Sequence, residues 1–458
     1  MTSDFHPGRL PPQGRLAVSS FSGTHYKYVK RNSALPISPL ASIERLCYTF
    51  DMEVRRDLAI AVEGMRWETD DGAAGSRPPC GVGPLRTRNG RESSVTDAKG
   101  RALPIYQAAG PGGRLFPLLK SMLTTACERD CLYCPFRAGR DMRRATFKPE
   151  EMARAFDELR HAGAVQGLFL STGIFAGGSN TQNKLLDTAE ILRRRYDYRG
   201  YLHLKIMPGV EYGQVERAME LADRVSINLE APNAGRLERL APNKDFEGEL
   251  LAPLQWMQTI RKESLSERAR RSSSATQFVV GAAGESDLEL LSTTERLYRR
   301  AGLQRVYFSA FDPLPGTPLE GLPPETPARE LRLYQASYLL RDYGFDLEEF
   351  PFDSDGRLPL DRDPKRAYAD MTLAEAPVDL NRAASEELRR VPGIGLQSAA
   401  RIVSARRVRR LRDLGQLRAL GIVAERAAPY ILLEGRRPDI QAPLFAGTGV
   451  DLGHSPAA

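Results

Sequence analysis

Short apolar runs alternate with helical stretches from Pro117 to about Tyr343, and this pattern restricts the fold of the chain more than any other feature. The six predicted strands are Leu118–Thr124, Gly167–Ser171, Tyr201–Ile206, Arg224–Leu229, Thr276–Gly281 and Arg305–Ala310. Alternation of this kind favours parallel strands joined by helical crossovers. Six units predict an α/β fold, an open partial (βα)6 barrel, with its chemistry at the carboxyl ends of the strands.

Three of the five cysteines fall within eight residues, directly after the first predicted strand. Cys127, Cys131 and Cys134 have CxxxCxxC spacing, and three thiolates hold three irons of a [4Fe–4S] cluster. The fourth iron then remains open to a chelating ligand, such as the amino and carboxylate groups of S-adenosylmethionine. Structural zinc is the alternative, but zinc needs a fourth Cys or His, and none of the five histidines forms a finger-like pair.

The cysteine motif, with Tyr133 just before its last cysteine, resembles the signature of the radical SAM superfamily, whose fold is a partial (βα)6 barrel. The resemblance implies a [4Fe–4S] cluster and S-adenosylmethionine (SAM) as cofactors, and reductive cleavage of SAM to a 5′-deoxyadenosyl radical. It implies cofactor contacts at Tyr133, Ser171, Thr172, Gly173, Glu230 and Val280. In this resemblance Ser171–Gly173 receives the methionyl amino group, Glu230 binds ribose hydroxyls, and Val279–Gly281 lines the adenine. No further catalytic residue is assigned.

A tight turn near the carboxyl end, Val391-Pro392-Gly393-Ile394-Gly395, separates two predicted helices. It leaves backbone N–H groups free at the start of the second helix, which favours an anion there. The segment resembles a helix-hairpin-helix motif, which binds the DNA backbone without sequence preference. The DNA-binding residues that this predicts are Gly393, Ile394, Gly395, Arg401, Arg406 and Arg407. A second, degenerate copy is predicted at Leu414–Ile431, and a protein-interaction module is the alternative reading.

The formal net charge of +7 is concentrated in the same region. Residues 379–437 contain 13 Arg, no Lys and 6 acidic residues, which equals the whole surplus. A localised basic patch is an electrostatic footprint for a polyanion. A solvated, Arg-rich helix surface is the alternative explanation.

The two motifs together resemble a family of radical SAM proteins assigned to DNA modification or repair, over roughly Leu115 to Arg437. Segments that agree with that family are RRATFKPEEMA, GLFLSTGI, YLHLKIMPG, LAPNKDF and FSAFDPLPGTPL. The resemblance implies DNA as a partner, an association with a uracil-DNA-glycosylase-like protein, and an electron donor. Two alternatives stay open: a radical SAM enzyme that modifies RNA or tRNA, and a nucleic-acid-binding iron–sulfur protein without turnover.

The predicted domain organisation has five parts. These are a partly disordered extension (1–105), the barrel (106–345), a linker (346–376), the helix-hairpin-helix domain (377–437) and a disordered tail (438–458). Outside the cysteine motif only Cys47 and Cys80 remain, too few for a second four-cysteine cluster. No apolar run approaches the ~20 residues of a membrane span, and no secretory signal is evident, so we expect a cytoplasmic protein without a membrane partner.

Overall fold

The computed structural model describes residues 52–63, 65, 85–86, 92–93, 105–109 and 115–438. The expectations for Cys47, Cys80, the first 40 residues and the tail after Pro438 lie outside these residues. Helix α1, Met52–Glu63, lies within the predicted amino-terminal extension. A two-residue antiparallel pair, β1 (Leu85–Arg86) and β2 (Glu92–Ser93), follows it.

The centre of the fold is a seven-stranded sheet in strand order β3-β4-β5-β6-β7-β8-β9. Its strands are β3 (Tyr106–Ala109), β4 (Leu115–Met122), β5 (Gly167–Ser171), β6 (Tyr201–Lys205), β7 (Arg224–Ser226), β8 (Ser273–Val280) and β9 (Arg305–Ala310). Strands β4 to β9 are parallel neighbours and correspond to the six predicted strands. Strand β3, which was not predicted, pairs antiparallel with β4 at one edge. In the described part of the chain β9 does not pair with β3, so the barrel is open, as predicted.

Helices cover the outer face of this sheet, and they form the crossover connections between its consecutive parallel strands. They are α2 (Pro149–His161), α3 (Gly178–Glu190), α4 (Tyr212–Leu221), α5 (Ala234–Glu238), α6 (Ala252–Glu263), α7 (Glu267–Arg271), α8 (Asp287–Arg300) and α9 (Pro327–Tyr338). Three π-helical segments, Ile191–Arg195, Phe246–Leu251 and Leu339–Tyr343, extend or precede α3, α6 and α9.

Local sequence signals explain where the long helices begin. Helix α2 begins with Pro149, and the Glu151 carboxylate accepts a hydrogen bond from the N–H of Lys148. In α8 the Ser286 hydroxyl and the Glu289 carboxylate cap each other's backbone N–H groups. Both arrangements satisfy N–H groups that have no partner inside the helix.

The strands are buried on both faces, which places the core on both sides of the sheet. Every residue of β5 is buried, as are seven of the eight residues of β8. Successive side chains in a strand point to opposite faces. The outward side chains, such as Leu168 and Leu170, join the apolar core. The inward side chains include polar ones, among them Ser171 and Lys205, and these form the interior of the barrel.

The carboxyl-terminal part of the described chain is helical. Its elements are α10 (Pro364–Thr372), β10 (Val378–Asp379), α11 (Ser385–Arg390), α12 (Leu396–Val408), α13 (Leu414–Ala419), α14 (Ala424–Ala427) and β11 (Ile431–Leu432). A short parallel pair of β10 and β11 closes this unit, with Val378 opposite Ile431. Helix α10 lies within the segment predicted as a linker. Among the helices described, none is both long enough and apolar enough to span a bilayer.

Candidate active site

A cavity of about 200 Å³ opens at the carboxyl ends of the parallel strands. Side chains from β4, β5, β6, β8 and β9, and from the residues directly after β7, line it. The lining includes all three cysteines of the motif and the residues predicted to contact SAM on β5 and after β7. The structure therefore brings together, in one cavity, motifs that lie more than 100 residues apart in the sequence.

The cysteine loop follows β4 and forms one wall of the cavity. Cys131 is buried, whereas Cys127 and Cys134 are partly exposed. The N–H of Phe136 donates to the sulfur of Cys134 over 3.4 Å. The N–H of Leu132 donates to the carbonyl of Leu240, so the loop is attached to the LAPNKDF segment on the far side of the barrel.

Arg144 binds four backbone carbonyl groups of this loop. Its guanidinium donates to the carbonyl oxygens of Thr125 (2.6 Å), Phe136 (2.9 Å), Arg137 (3.0 Å) and Arg140 (3.2 Å). Four carbonyls on the two sides of the loop thus converge on one planar cation. Arg144 is therefore a structural element of the loop that carries the cysteines.

Two further arginines attach the loop to its surroundings. Arg140 donates to the carbonyls of Pro135 (2.9 Å) and Pro315 (2.8 Å), and so joins the loop to the segment after β9. Arg129 forms an ion pair of 2.6 Å with Glu249. These contacts hold the loop at both ends.

The electrostatics of the thiols follow from their burial. Burial raises the pKa of Cys131, and the nearby Lys244 ammonium opposes that rise. Burial and the neighbouring Cys131 also raise the pKa of Cys134. Burial lowers the pKa of Lys244, but the negative charges of Cys131 and Glu230 raise it by more. The pKa of Lys244 is therefore higher than its ordinary value. A cation at Lys244 is therefore kept beside groups that become negative when the thiols ionise.

Three thiols line the cavity, one fewer than the four ligands of a structural zinc site. Within the residues that the structure describes, no three His, Cys, Asp or Glu side chains gather closely enough to surround one metal ion. Tetrahedral zinc needs four such ligands around one point. In an iron–sulfur cluster each thiolate binds a different iron, so three thiolates hold three irons.

The segment Ser171-Thr172-Gly173 lies at the end of β5, against the cysteine loop. Ser171 and Thr172 are buried, and the Gly173 N–H donates to the carbonyl of Thr124 over 2.7 Å. A Cβ atom at Gly173 would lie 2.1 Å from the carbonyl oxygen of Ala126. Only glycine fits at this position, because the backbones of the two loops are in contact there.

Glu230 has the arrangement expected of a ligand-binding carboxylate. It is buried, its φ is +63°, and it lies in the wall of the cavity. One carboxylate oxygen accepts from Lys244 over 3.2 Å, and the other has no hydrogen-bond partner in the described structure. A buried carboxylate oxygen without a partner is costly, and a bound hydroxyl would satisfy it. Burial, and then the charge of Glu230, raise the pKa of Tyr133 on the same wall.

The residues predicted to line the adenine, Val279–Gly281, do not all face the cavity. Val279 lines the cavity, whereas Val280 is fully buried and is not part of the lining. The alternation of side chains along β8 explains the difference, because neighbours in a strand face opposite sides. Any contact of Val280 with a ligand in this cavity would have to use its backbone.

Sequence analysis did not select several polar residues of this cavity. They are Arg129, Lys205, Asn228, Lys244, Gln277, Ser309 and Asp312. The only signal for any of them is in β6, where Tyr201, His203 and Lys205 alternate with leucines and so mark one face of the strand.

The first hairpin of the carboxyl-terminal unit joins α11 to α12. Gly393 has φ of +85°, and Ile394 is buried in the core of the unit. Arg401 is exposed and donates to the carbonyl of Leu420. Arg406 donates to the carbonyls of Leu380 (2.9 Å) and Ala383 (2.7 Å), so it is engaged in the packing of the unit.

Arg407, Arg409 and Arg410 follow Arg406 and are exposed. The second hairpin lies between α13 and α14, as predicted, and Gly421 has φ of +73°. The two hairpins are in contact, since a Cβ atom at Gly393 would lie 2.6 Å from the carbonyl oxygen of Val423. The unit therefore presents two glycine turns together with a row of exposed arginines.

Residues 121–297 match the family model of the radical SAM superfamily, and residues 374–431 match that of the helix-hairpin-helix motif. No curated protein sequence matches the chain. Among solved structures, methylornithine synthase (PylB) is 16% identical, with a TM-score of 0.40 over 50% of this chain and 64% of its own. HydG, an [FeFe]-hydrogenase maturase from Carboxydothermus hydrogenoformans, is 16% identical, with a TM-score of 0.37 over 49% and 51%.

A third similar structure is the radical SAM methyltransferase TsrM from Kitasatospora setae, 14% identical, with a TM-score of 0.34 over 57% of this chain and 44% of its own. The chain thus spans less than two thirds of each of these three proteins. The family matches lie within the barrel and within the carboxyl-terminal unit. The chain therefore contains a radical SAM domain, of the superfamily that uses a [4Fe–4S] cluster and S-adenosylmethionine, followed by a helix-hairpin-helix domain.

Proposed function

We propose that this protein is a radical SAM enzyme that acts on DNA, in modification or repair. The observation that carries the proposal is the presence in one chain of a thiol-lined barrel cavity and a helix-hairpin-helix unit with exposed arginines. When bound, the reduced cluster and SAM supply a 5′-deoxyadenosyl radical that abstracts a hydrogen atom. The residues of the chain hold the cofactors, orient the substrate and exclude water.

Within this proposal Cys127, Cys131 and Cys134 hold the cluster. Their convergence on one wall of the cavity supports that role. The Ser171–Gly173 segment lies against the cysteine loop, where it would meet the methionyl amino group. The unpartnered oxygen of Glu230 would accept a ribose hydroxyl, with Tyr133 beside it.

The helix-hairpin-helix unit would bind phosphates of the nucleic-acid backbone. The turn Gly393-Ile394-Gly395 begins α12; the Ile394 N–H donates to the carbonyl of Val391, so Gly393 and Gly395 would supply the backbone N–H groups, with Arg401 and Arg407 exposed on α12. Such contacts position a nucleic acid but carry no base information. The base to be modified would enter the barrel unpaired or flipped, because its atoms are inaccessible within a stacked duplex.

The proposal extends to partners and location. The resemblance to DNA modification and repair proteins suggests a uracil-DNA-glycosylase-like partner, and reduction of a cluster requires an electron donor. A cytoplasmic location agrees with the lack of a membrane-spanning helix in the described part of the chain. RNA or tRNA is the second candidate substrate, since backbone contacts by hairpins do not by themselves distinguish DNA from RNA.

The first experiment measures release of 5′-deoxyadenosine. The cluster is reconstituted anaerobically and reduced with dithionite, SAM is added, and samples with and without DNA are compared. We expect release that DNA stimulates and that Cys127→Ala abolishes. Cys47→Ala, which changes a cysteine outside the motif, is the matched control and should retain release. Absence of release from a protein that holds the cluster would contradict the enzymatic proposal.

The second experiment tests whether the protein binds nucleic acid, and whether it prefers DNA or tRNA. Binding of DNA and of tRNA is measured by fluorescence anisotropy at several salt concentrations, and each is used to compete with the other. Binding through phosphates predicts that the logarithm of the affinity falls linearly with that of the salt concentration. Failure of both to bind at low salt would contradict the nucleic-acid part of the proposal, and preference for tRNA would favour the second candidate substrate.

A further inference from the structure

Lys244 is a buried cation of the cavity that the proposed function does not use. Its side chain is 10% exposed, and its ammonium forms an ion pair of 3.2 Å with the Glu230 carboxylate, which is 6% exposed. Taking two charges out of water is unfavourable, and a well-packed hydrophobic pair of similar volume is often as stable. A buried ion pair in the wall of a cofactor cavity therefore indicates a use for its charge.

The segment that carries this lysine is bonded to the cysteine loop on both sides of the second cysteine. The Leu132 N–H donates to the carbonyl of Leu240 over 2.7 Å. The Asn243 side-chain amide donates to the Asp130 carboxylate over 2.6 Å. Because Asp130 and Leu132 are the two sequence neighbours of Cys131, these bonds hold the segment beside that thiol.

Glu230, the partner of Lys244, is fixed from the other side of the cavity. Its N–H donates to the carbonyl of Gln277 over 3.0 Å, and its carbonyl accepts from the N–H of Val279 over 2.8 Å. Both members of the ion pair thus have a fixed backbone. The ammonium consequently stays beside the carboxylate and beside the cysteine loop.

The charge of Lys244 acts on the thiols as well as on its carboxylate partner. Burial raises the pKa of Cys131 and of Cys134, and in both cases Lys244 lowers it. Three thiolates and one carboxylate place four negative groups in this cavity. Arg129, another cation of the lining, forms its ion pair with Glu249, outside this group.

Negative charge in a buried site opposes the addition of an electron. The reduction potential of an iron–sulfur cluster depends on net charge, on hydrogen bonds to the sulfurs and on exposure to solvent. One electron from a reductant adds a further negative charge beside the thiolates. A nearby cation stabilises the reduced form more than the oxidised one, and so raises the potential.

We propose that Lys244 is a positioning residue that sets the reduction potential of the cluster, by compensating the charge of its thiolates and of Glu230. It acts on the cluster through space, and on Glu230 through the ion pair that holds one carboxylate oxygen. The inference rests on the proposed function, because it requires the cluster at the three cysteines.

The test measures the midpoint potential of the reconstituted protein, by redox titration followed with electron paramagnetic resonance, without DNA or SAM. Lys244→Met should make the reduction equilibrium at least tenfold less favourable, which lowers the potential by about 59 mV for one electron. Lys244→Arg keeps the charge and should keep the potential of the wild type. Lys262→Met, at an exposed position of α6, is the matched control and should leave the potential unchanged.

A second substitution, at Glu230, separates charge from structure. Glu230→Gln removes a negative charge and should raise the potential, whereas a general loosening of the site gives no reason for shifts of opposite sign. The double variant Lys244→Met/Glu230→Gln leaves neither charge unpaired, and its potential should lie below that of Glu230→Gln. This comparison decides the question even where Lys244→Met alone takes up no iron.

The outcomes distinguish this inference from the proposed function. An unchanged or higher potential in Lys244→Met, or in the double variant relative to Glu230→Gln, would overturn the role of Lys244 and leave the proposed function standing. A wild type that assembles no cluster would overturn both. Because the titration contains neither DNA nor SAM, a failure of DNA to stimulate the enzyme contradicts the proposed function alone.

Discussion

Lys365 donates a hydrogen bond of 2.6 Å to the carbonyl oxygen of Ile394, the apolar residue between the two glycines of the first hairpin. The ammonium also lies 4.8 Å from the centre of the Tyr343 ring, at the end of the π-helical extension of α9. An ion pair between Arg390 and Glu349 (2.6 Å) makes a second connection. The hairpin is therefore attached to the body of the barrel through α9 and α10.

The environment of Lys365 predicts a pH dependence. Burial lowers the pKa of Lys365 to about 7, while Asp363 raises it and Arg426 lowers it further. The unfolded chain has the ordinary value of 10.5, so between pH 7 and 10.5 the unfolded state binds the proton that the folded state releases. The contribution of Lys365 to the free energy of unfolding therefore increases as the pH rises through that window. Below pH 7 the buried ammonium is charged, and its full cost lowers the stability of the fold.

The measurement compares the unfolding temperatures of the wild type and Lys365→Met from pH 6 to 10. Other groups titrate in this range, but they are common to both proteins, so the difference between the two isolates Lys365. We expect the unfolding temperature of the wild type to rise relative to that of Lys365→Met as the pH rises. A constant difference for Lys365→Met would contradict the prediction.

The attachment of the hairpin to α9 also predicts a minimum length of nucleic acid. Near the start of α9, Glu325 donates its N–H to the carbonyl of Phe311, which lines the cavity, and at the other end Tyr343 lies beside Gly395. The helix and its π extension, Pro327–Tyr343, span about 25 Å at 1.5 Å per residue. That distance corresponds to about 7 base pairs at 3.4 Å each.

We therefore expect stimulation of 5′-deoxyadenosine release to appear only with oligonucleotides longer than about 7 nucleotides, because shorter ones do not reach both sites. A length series measures this. The double variant Arg407→Ala/Arg409→Ala should reduce stimulation by long oligonucleotides while leaving unstimulated release intact. Equal stimulation by very short oligonucleotides would show that the two sites act independently.

Arg144→Lys should impair cluster assembly. A lysine ammonium carries three donors at one point, whereas the Arg144 guanidinium spans four carbonyls of the cysteine loop. The variant should retain little iron after reconstitution, with the circular dichroism of the barrel unchanged. Arg143→Lys, at the adjacent exposed position, is the control and should retain its iron. A full iron content in Arg144→Lys would show that the loop does not depend on these bonds.

The two hairpin glycines should differ in their tolerance of alanine. Both have positive φ, which costs a non-glycine residue about 1–2 kcal/mol. At Gly393 the added Cβ would also lie 2.6 Å from the backbone oxygen of Val423. At Gly421 it would meet only the end of the Arg401 side chain, which can move. Gly393→Ala should therefore destabilise the unit more than Gly421→Ala.

Hydrogen exchange read by mass spectrometry over residues 385–432 of the full chain measures the two variants. Faster exchange is expected in both, and the larger increase in Gly393→Ala. The opposite order would mean that the contact between the hairpins is absent in solution.

Several features of this protein are readable from the residues in order. All six parallel strands, the cysteine loop after the first of them and both glycine hairpins occur where the pattern predicted them. These features depend on local properties, namely runs of apolar residues, the spacing of thiols and the backbone freedom of glycine. The family model matches agree with the same motifs.

Other features depend on contacts between distant segments. Strand β3 forms because its partner β4 offers a free edge. Val279 rather than Val280 lines the cavity, since the position of β8 in the sheet decides which face is inward. Arg144 and Arg406 bind backbone carbonyls that only the folded chain brings near them.

The polar side chains inside the barrel also depend on contacts between distant segments. Lys205, Asn228 and Gln277 are separated by up to 72 positions in the sequence, and no spacing rule relates them. Strand β8 is buried on both faces and has polar residues on both, so no alternation identifies its inward side chains. Composition and spacing thus determined which chemistry the chain can carry, whereas the curvature and strand order of the sheet decided which side chains line the cavity.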